Sequence, residues 1–267
     1  MSMHPPTRPY RLYPAYCFRA SPTFNTWVKV TAADVRALRT EKGFEAAALA
    51  KEVEIGQRIY FHLNHPIRYV CIVGVIVAID DINLRYTVLT LDDGSGANIE
   101  LKIVRLPPAD RNPVDTSSNT EIPNVDIVSR FGIFDVVLDG QQLDIGSVIK
   151  AKCTISEFRG IKQLELKRIS MITTTDQEVK AWAETAAFKQ KVLSRPWHIS
   201  STEHQKITHS IKAEKKKLHE YERRKAEYEL KKEEHRMARE AYDAQRDRKL
   251  ETRRRKDEVI MNTGALI

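Results

Sequence analysis

Residues 85–103 read Arg85-Tyr86-Thr87-Val88-Leu89-Thr90-Leu91-Asp92-Asp93-Gly94-Ser95-Gly96-Ala97-Asn98-Ile99-Glu100-Leu101-Lys102-Ile103. The first part alternates, with Leu89 and Leu91 pointing one way and Tyr86, Val88 and Thr90 the other. The last part alternates too, with Ile99, Leu101 and Ile103 against Glu100 and Lys102. Side chains of a strand repeat every two residues, so each run is a half-buried strand. The Asp/Gly-rich link between them supplies the local hydrogen bonds and positive φ of a tight turn, which makes the stretch a hairpin. Asp92 and Asp93 have no partner His and no metal-ligand spacing, so the turn is read as structural.

Upstream, Val70, Ile72 and Ile76 face one side while Tyr69, Cys71 and Val75 face the other, with Gly74 where the strand bends. Downstream, Ile133 to Leu138, Asp139-Gly140, and Leu143 to Phe158 read as another hairpin or bent pair. Within it Ile149, Ala151, Cys153 and Ile155 alternate with Lys150, Lys152, Thr154 and Ser156. Gly160 turns the chain into a last strand over about 163–171. Five or six strands with a bent first one predict a mainly β fold, a five-stranded OB barrel rather than a sandwich.

Around this block, 59–172, the texture changes. Residues 1–58 are a Pro/Tyr/Arg-rich arm and a short helix, with Thr31 as N-cap and Asp34 three residues on. Pro107 to Pro123 is polar and Pro-rich and reads as a loop insertion. A helix over 176–194 stops before Pro196, closing an OB domain that spans 59–200. Its stripe holds Val179, Trp182, Ala183, Ala186 and Leu193. Small alanines admit a close neighbour and Trp182 is an interface anchor type; packing on its own barrel is the alternative. The rest, 201–267, is a long charged helix. Its opposite charges recur at helical spacing in Glu220–Arg224, Glu227–Lys231 and Glu251–Arg255. Its basic end, Arg253 to Lys256, has the composition of a nuclear localisation signal.

The net charge of +8 suits an anionic partner. The tail from residue 201 carries 19 Lys+Arg against 14 Asp+Glu, so much of the excess sits there. Cys17, Cys71 and Cys153 are too far apart for a zinc ribbon or a disulfide framework, which fits a reducing compartment. The start lacks the apolar run of a secretory signal, and Val70–Ile79 covers about half the ~20 residues of a membrane span. The expectation is a soluble intracellular protein with no membrane partner. His62 and His65 stand in an HxxH spacing before Pro66 with no third ligand, so packing is expected rather than a metal. No cofactor is expected. Phosphate loops and nucleophile elbows are absent, which disfavours an enzyme.

Several motifs carry a family resemblance. Tyr13-Pro14-Ala15-Tyr16-Cys17-Phe18-Arg19-Ala20-Ser21-Pro22-Thr23 resembles the N-terminal arm of fungal STN-type subunits of the telomeric CST complex, and Asn64-His65-Pro66-Ile67 leading into Val73-Gly74-Val75-Ile76-Val77 resembles that family too. Leu91-Asp92-Asp93-Gly94-Ser95-Gly96-Ala97 and Glu157-Phe158-Arg159-Gly160 resemble turns of that family and, for the first, of the middle subunit of replication protein A. Asp176, Val179, Trp182, Val192-Leu193 and Pro196-Trp197 resemble its post-barrel helix. The resemblance covers about 13–200. It implies a non-enzymatic nuclear subunit that binds single-stranded telomeric DNA. It also implies a heterodimer with a small OB-fold subunit through the helix after the barrel, association with the large CST subunit, restraint of telomerase and links to polymerase alpha-primase. C-terminal winged-helix domains, found in many members, have no counterpart after residue 200.

Binding a single strand takes cations for phosphates and flat faces for bases, and OB barrels present them across strands 2 and 3. Here that surface offers Arg85, Tyr86, Lys102, Arg105, Lys150, Lys152, Phe158, Arg159 and Lys162. The same residues also suit ordinary solvated strand positions. Two other functions stay open at this point, a general replication-protein-A-like subunit and a scaffold that binds only proteins.

Overall fold

The computed structural model describes residues 10–45, 57–107, 118–130 and 133–264. These divide into two compact units, Met1–His204 and Gln205–Ile267.

In the first unit a 3₁₀ helix at Ala15–Ala20 precedes strand β1 (Val28–Lys29) and helix α1 (Ala32–Ala37). The expected cap is present and reciprocal. Thr31 Oγ1 accepts from the Asp34 N–H at 3.2 Å, and the Asp34 carboxylate accepts from the Thr31 N–H at 3.3 Å. A tight hairpin follows, β2 (Tyr60–His62) and β3 (His65–Ile67). Then come β4 (Tyr69–Asn83), β5 (Tyr86–Asp92) and β6 (Asn98–Val104). Next are β7 (Val125–Arg130), β8 (Ile133–Leu138), β9 (Gln141–Leu143), β10 (Val148–Phe158) and β11 (Ile161–Ile172).

Five of these strands close a ring in the order β4, β10, β11, β6, β5 and back to β4. All joints are antiparallel except β11–β6, which is parallel with Leu164 beside Leu101. A five-stranded ring with a long coiled first strand and one parallel joint is the OB barrel that the alternation predicts. Its interior holds Val70, Ile72, Ile76, Leu89, Leu91, Ile99, Leu101, Ile103, Ile149, Ala151, Cys153 and Leu164, all buried. Gly74 lets β4 curl because a Cβ there would sit 2.7 Å from the Asp92 carbonyl oxygen.

Two features differ from the sequence reading. Cys71 and Val73 on the outer face of β4 are buried as well, because β1 pairs alongside and the helix after the barrel lies over that face. Beside the ring, β7, β8 and β9 form a three-stranded sheet whose Val125, Ile127, Val136, Leu138 and Leu143 join the same core. Residues 108–117 of the expected insertion lie outside the described residues. Its end is pinned: Thr120 bridges to Arg105, and the Thr120 hydroxyl hydrogen-bonds the Val125 carbonyl at 2.7 Å.

Helix α2 (Thr175–Phe188) is capped by Thr174 and runs into a π turn, Lys189–Leu193. The chain then passes back over the N-terminal arm, where the Tyr13 and Trp197 rings meet edge-on at 4.8 Å. The arm has its own small core of Phe18, Phe24, Ile59 and Phe61, with ring centroids of Phe18 and Phe61 5.8 Å apart.

The second unit is drawn from helix α3 (Ser201–Gly264), which is continuous over 64 residues. Over Lys212–Thr263 it is exposed, and it carries surface pairs, including the expected Glu251–Arg255 at 3.3 Å and Arg223–Glu227 at 3.5 Å. Such pairs contribute about 0.2–0.5 kcal/mol each. No helix among the described residues is long and apolar enough to cross a membrane.

Candidate nucleic-acid and partner surfaces

The hairpin turn that organises the barrel also holds α1. Asp93 accepts from the Ala32 N–H at 2.7 Å and Ser95 from the Ala33 N–H at 3.1 Å, satisfying two of the unpaired donors at that helix start. Asp92 and Asp93 bond back to the Gly94 and Ser95 N–H groups. The paired carboxylates are therefore turn-formers, as read from the sequence.

The nine residues expected to contact DNA fall in three places. On β5 and β6, Tyr86 is half-buried and Lys102 places its ammonium 5.1 Å from the Tyr86 ring centroid and 3.1 Å from Glu165. Burial pushes the Glu165 carboxyl up, and its hydrogen bonds from Lys167 and Lys102 outweigh this and hold it below the usual range. Arg85 is exposed in the loop before β5. Arg105 requires a correction: it ion-pairs with Asp81 and donates to Thr87 Oγ1 at 3.1 Å, with its side chain largely buried. Buried charges need partners, and this one braces strand ends.

At the β10–β11 tip, Phe158 is 57% exposed and the Arg159 guanidinium lies 5.1 Å from its ring centroid. Arg159 and Gly160 have φ of 50° and 80°, the left-handed pair the turn needs. Lys162 is turned inward to the end of α1 and donates to the Arg36 carbonyl at 2.9 Å. Lys150 and Lys152 stand apart from both places, on the outer face of β10. Lys152 lies 5.9 Å over the Trp27 ring, and Trp27 meets Tyr69 at 5.0 Å. The sequence reading missed Trp27, because it sits in the arm outside any alternating run; the outward position of Tyr69 was the only signal.

Of the five residues expected at a partner interface, four are exposed on one side of α2. Val179 is 52% and Trp182 50% exposed, and Ala183 and Ala186 are open. Leu193 is corrected: it is 1% exposed and belongs to the barrel core. A π turn advances fewer degrees per residue than an α-helix, so a 3.6-residue stripe extrapolated through Lys189–Leu193 loses its phase. Beneath Trp182 and Ala186 opens a groove of about 770 Å³, floored by Val73, Val75 and Val77 and closed at one end by Asp93 and Ser95. Strand β4 lines it with valines, and α2 with Trp182 and Ala186 beside the polar Glu178, Thr185 and Lys189.

His62 and His65 face each other across the β2–β3 turn, and His65 Nε2 meets the Arg195 carbonyl at 2.8 Å. The expected packing role is what the geometry gives. Among the described residues no group of three or more His, Cys, Asp or Glu is gathered for a metal.

The sequence model of the family described as telomere regulation protein Stn1 matches residues 8–252. The chain belongs to the telomere regulation protein Stn1 family. No curated protein matches it. Solved structures similar to this Stn1-family chain include the following three. The S. pombe Stn1–Ten1 complex shares 20% identity over 64% of this chain and 96% of that one, with a TM-score of 0.43. The yeast Stn1 and Ten1 structure shares 16% over 75% and 91%, with a TM-score of 0.48. A replication protein A heterotrimer bound to single-stranded DNA shares 12% over 63% and 98%, with a TM-score of 0.41.

Proposed function

We propose that this Stn1-family chain is a non-enzymatic OB subunit that binds single-stranded telomeric DNA and pairs with a small OB-fold partner through α2, acting at chromosome ends in the nucleus. Family membership supports the telomeric setting. The observation that carries the partner is the half-exposed Trp182 beside the apolar groove on β4, since monomeric proteins rarely leave an aromatic anchor next to an open apolar trough. The DNA reading rests on the exposed Phe158–Arg159 tip and on Tyr86 with Lys102, which join flat faces to cations on one barrel. Association with the large CST subunit, restraint of telomerase and recruitment of polymerase alpha-primase follow from the same family resemblance and form part of this proposal.

Co-expression of the full chain with a small OB-fold partner tests it. A stable 1:1 complex is expected, and persistent monomer sinks the partner reading. Titrating that complex with telomeric and scrambled oligonucleotides at several salt concentrations tests the rest. Phosphate contacts release counterions, so log K falls with log salt; a slope of zero leaves a protein-only scaffold. Equal affinity for both sequences favours a general replication-protein-A-like role.

A further inference from the structure

We propose that a second track for a single nucleic-acid strand crosses the outer face of β10 and β11 and reaches β4 only at Tyr69, beside the stretch that β1 and α2 cover and outside the β5–β6 surface. This deepens the DNA-binding reading above and rests on it. Strand register places Lys29, Cys71, Lys152 and Arg168 side by side in one row across four strands. Strands lie about 4.8 Å apart, so the row gathers three cations within about 14 Å. Lys29 meets Glu184 at 2.7 Å. Lys152 and Arg168 are directly opposite each other, an arrangement of like charges that destabilises a sheet. Among the described residues neither one has a carboxylate within ion-pair distance, and Lys150 adds a further cation in the adjacent row.

Cations on the β5–β6 side differ. There Lys102, Arg105 and Lys167 each meet a carboxylate, of Glu165, of Asp81, and of Glu121 and Glu165. Among the described residues Arg85 and Arg159 stand without a carboxylate in ion-pair distance at the loop and tip, and Lys152 with Arg168 supplies a second concentration of uncompensated charge on the outer row.

Flat surfaces flank that row. The Trp27 and Tyr69 rings meet at 5.0 Å, tilted by 51°, and the Arg68 guanidinium lies 4.5 Å from the Tyr69 ring and 4.3 Å from that of Phe24. Trp27, Tyr69 and Arg68 are all partly exposed. An acidic peptide would use the cations and leave the rings idle. A strand of nucleotides uses both, phosphates on Lys152 and Arg168 and a base on the Trp27–Tyr69 pair. Helix geometry keeps this track clear of the partner groove: at 3.6 residues per turn, Trp182 and Glu184 lie about 200° apart on α2.

Lys152→Glu in the full chain separates this role from a structural one, because it sets a carboxylate opposite Arg168 and removes the like-charge pair. The thermal midpoint is expected to hold or rise. Affinity for an oligonucleotide of about 15 nucleotides should fall about tenfold, and the salt slope should flatten by about 0.7 for each phosphate that the variant no longer neutralises. Photocrosslinking with iodouridine strands should give adducts on Trp27 or Tyr69. Three results overturn the track: wild-type binding that Lys152→Glu leaves unchanged, with adducts confined to Tyr86 and Phe158; affinity that falls only in parallel with stability; or polyglutamate displacing the strand as well as nucleic acid does. Wild-type protein that binds no strand at low salt defeats the DNA-binding reading as a whole.

Discussion

The side-chain amide of Asn64 grips the backbone of Trp197 from both sides. Its Oδ1 accepts from the Trp197 N–H at 2.7 Å, and its Nδ2 donates to the Trp197 carbonyl at 2.7 Å and to the Arg11 carbonyl at 3.0 Å. One buried side chain thus joins the N-terminal arm, the β2–β3 turn and the segment after α2. Tyr13 adds its hydroxyl, accepting from the Ile199 N–H at 3.1 Å. Asn64→Ala leaves three part-buried backbone groups without this partner; a fully buried stranded group costs about 1–3 kcal/mol, and solvent access offsets part of that here. We expect a loss of about 2 kcal/mol in chemical denaturation; a loss under about 0.5 kcal/mol would show that water replaces the amide freely.

The neighbouring His65 makes the same region sensitive to acid. Burial holds its imidazole below the usual value; the Arg195 carbonyl pulls the other way, and His62 adds a smaller lowering. His62 is lowered by burial as well. Nε2 carries the proton donated to Arg195, while Nδ1 is buried with no partner, so a second proton would have nowhere to bond. The unfolded chain takes up that proton near the ordinary value of about 6.5 and the folded chain resists it. Stability is therefore complete above about pH 6.5 and declines as pH falls below it. Thermal midpoints measured from about pH 7.5 to 5.5 should drop, and the drop should flatten in His62→Gln/His65→Gln. Identical slopes in both proteins would contradict this.

Gly74→Ala tests the crossing of β4 and β5. The added methyl meets backbone at 2.7 Å, an atom with no rotamer to move, so the strands must part. Overpacking of this kind costs about 1–3 kcal/mol. The prediction is a lower unfolding midpoint with an unaltered denaturant slope.

Trp182→Ala should do the reverse. Half of the ring is in solvent, so the free chain loses little stability. If the groove under α2 holds the partner, truncating an aromatic anchor costs about 2 kcal/mol or more of binding, about thirtyfold in Kd. Calorimetry on the pair reads this directly. An undiminished affinity would move the interface elsewhere.

The barrel was legible in the sequence because its strands carry their burial as a two-residue rhythm: Leu89 and Leu91, Ile99 to Ile103, and Ile149 to Ile155 all point where the alternation puts them. The Thr31–Asp34 cap and the Asp92–Gly96 turn were legible because their chemistry is local. What escaped depends on neighbours distant in sequence. Strand β7 is a short run after Pro123 whose reason to be extended is its pairing with β8. The Trp27–Tyr69–Lys152 grouping is assembled from three elements, and only the register of β1, β4 and β10 reveals it. Leu193 was misplaced by a single turn of the wrong pitch.

Ring closure has a bearing on how this molecule can assemble. Each of the five barrel strands already has a neighbour on both sides, and the upper edge of β4 is occupied by Val28–Lys29. Most backbone amides of the barrel are thereby occupied, and strand addition is confined to the short parallel joint, where β11 and β6 pair only at Leu164–Leu101 and Glu165–Lys102. Recognition over the rest of the barrel is written in side chains, where point substitutions can tune one contact without unzipping the sheet.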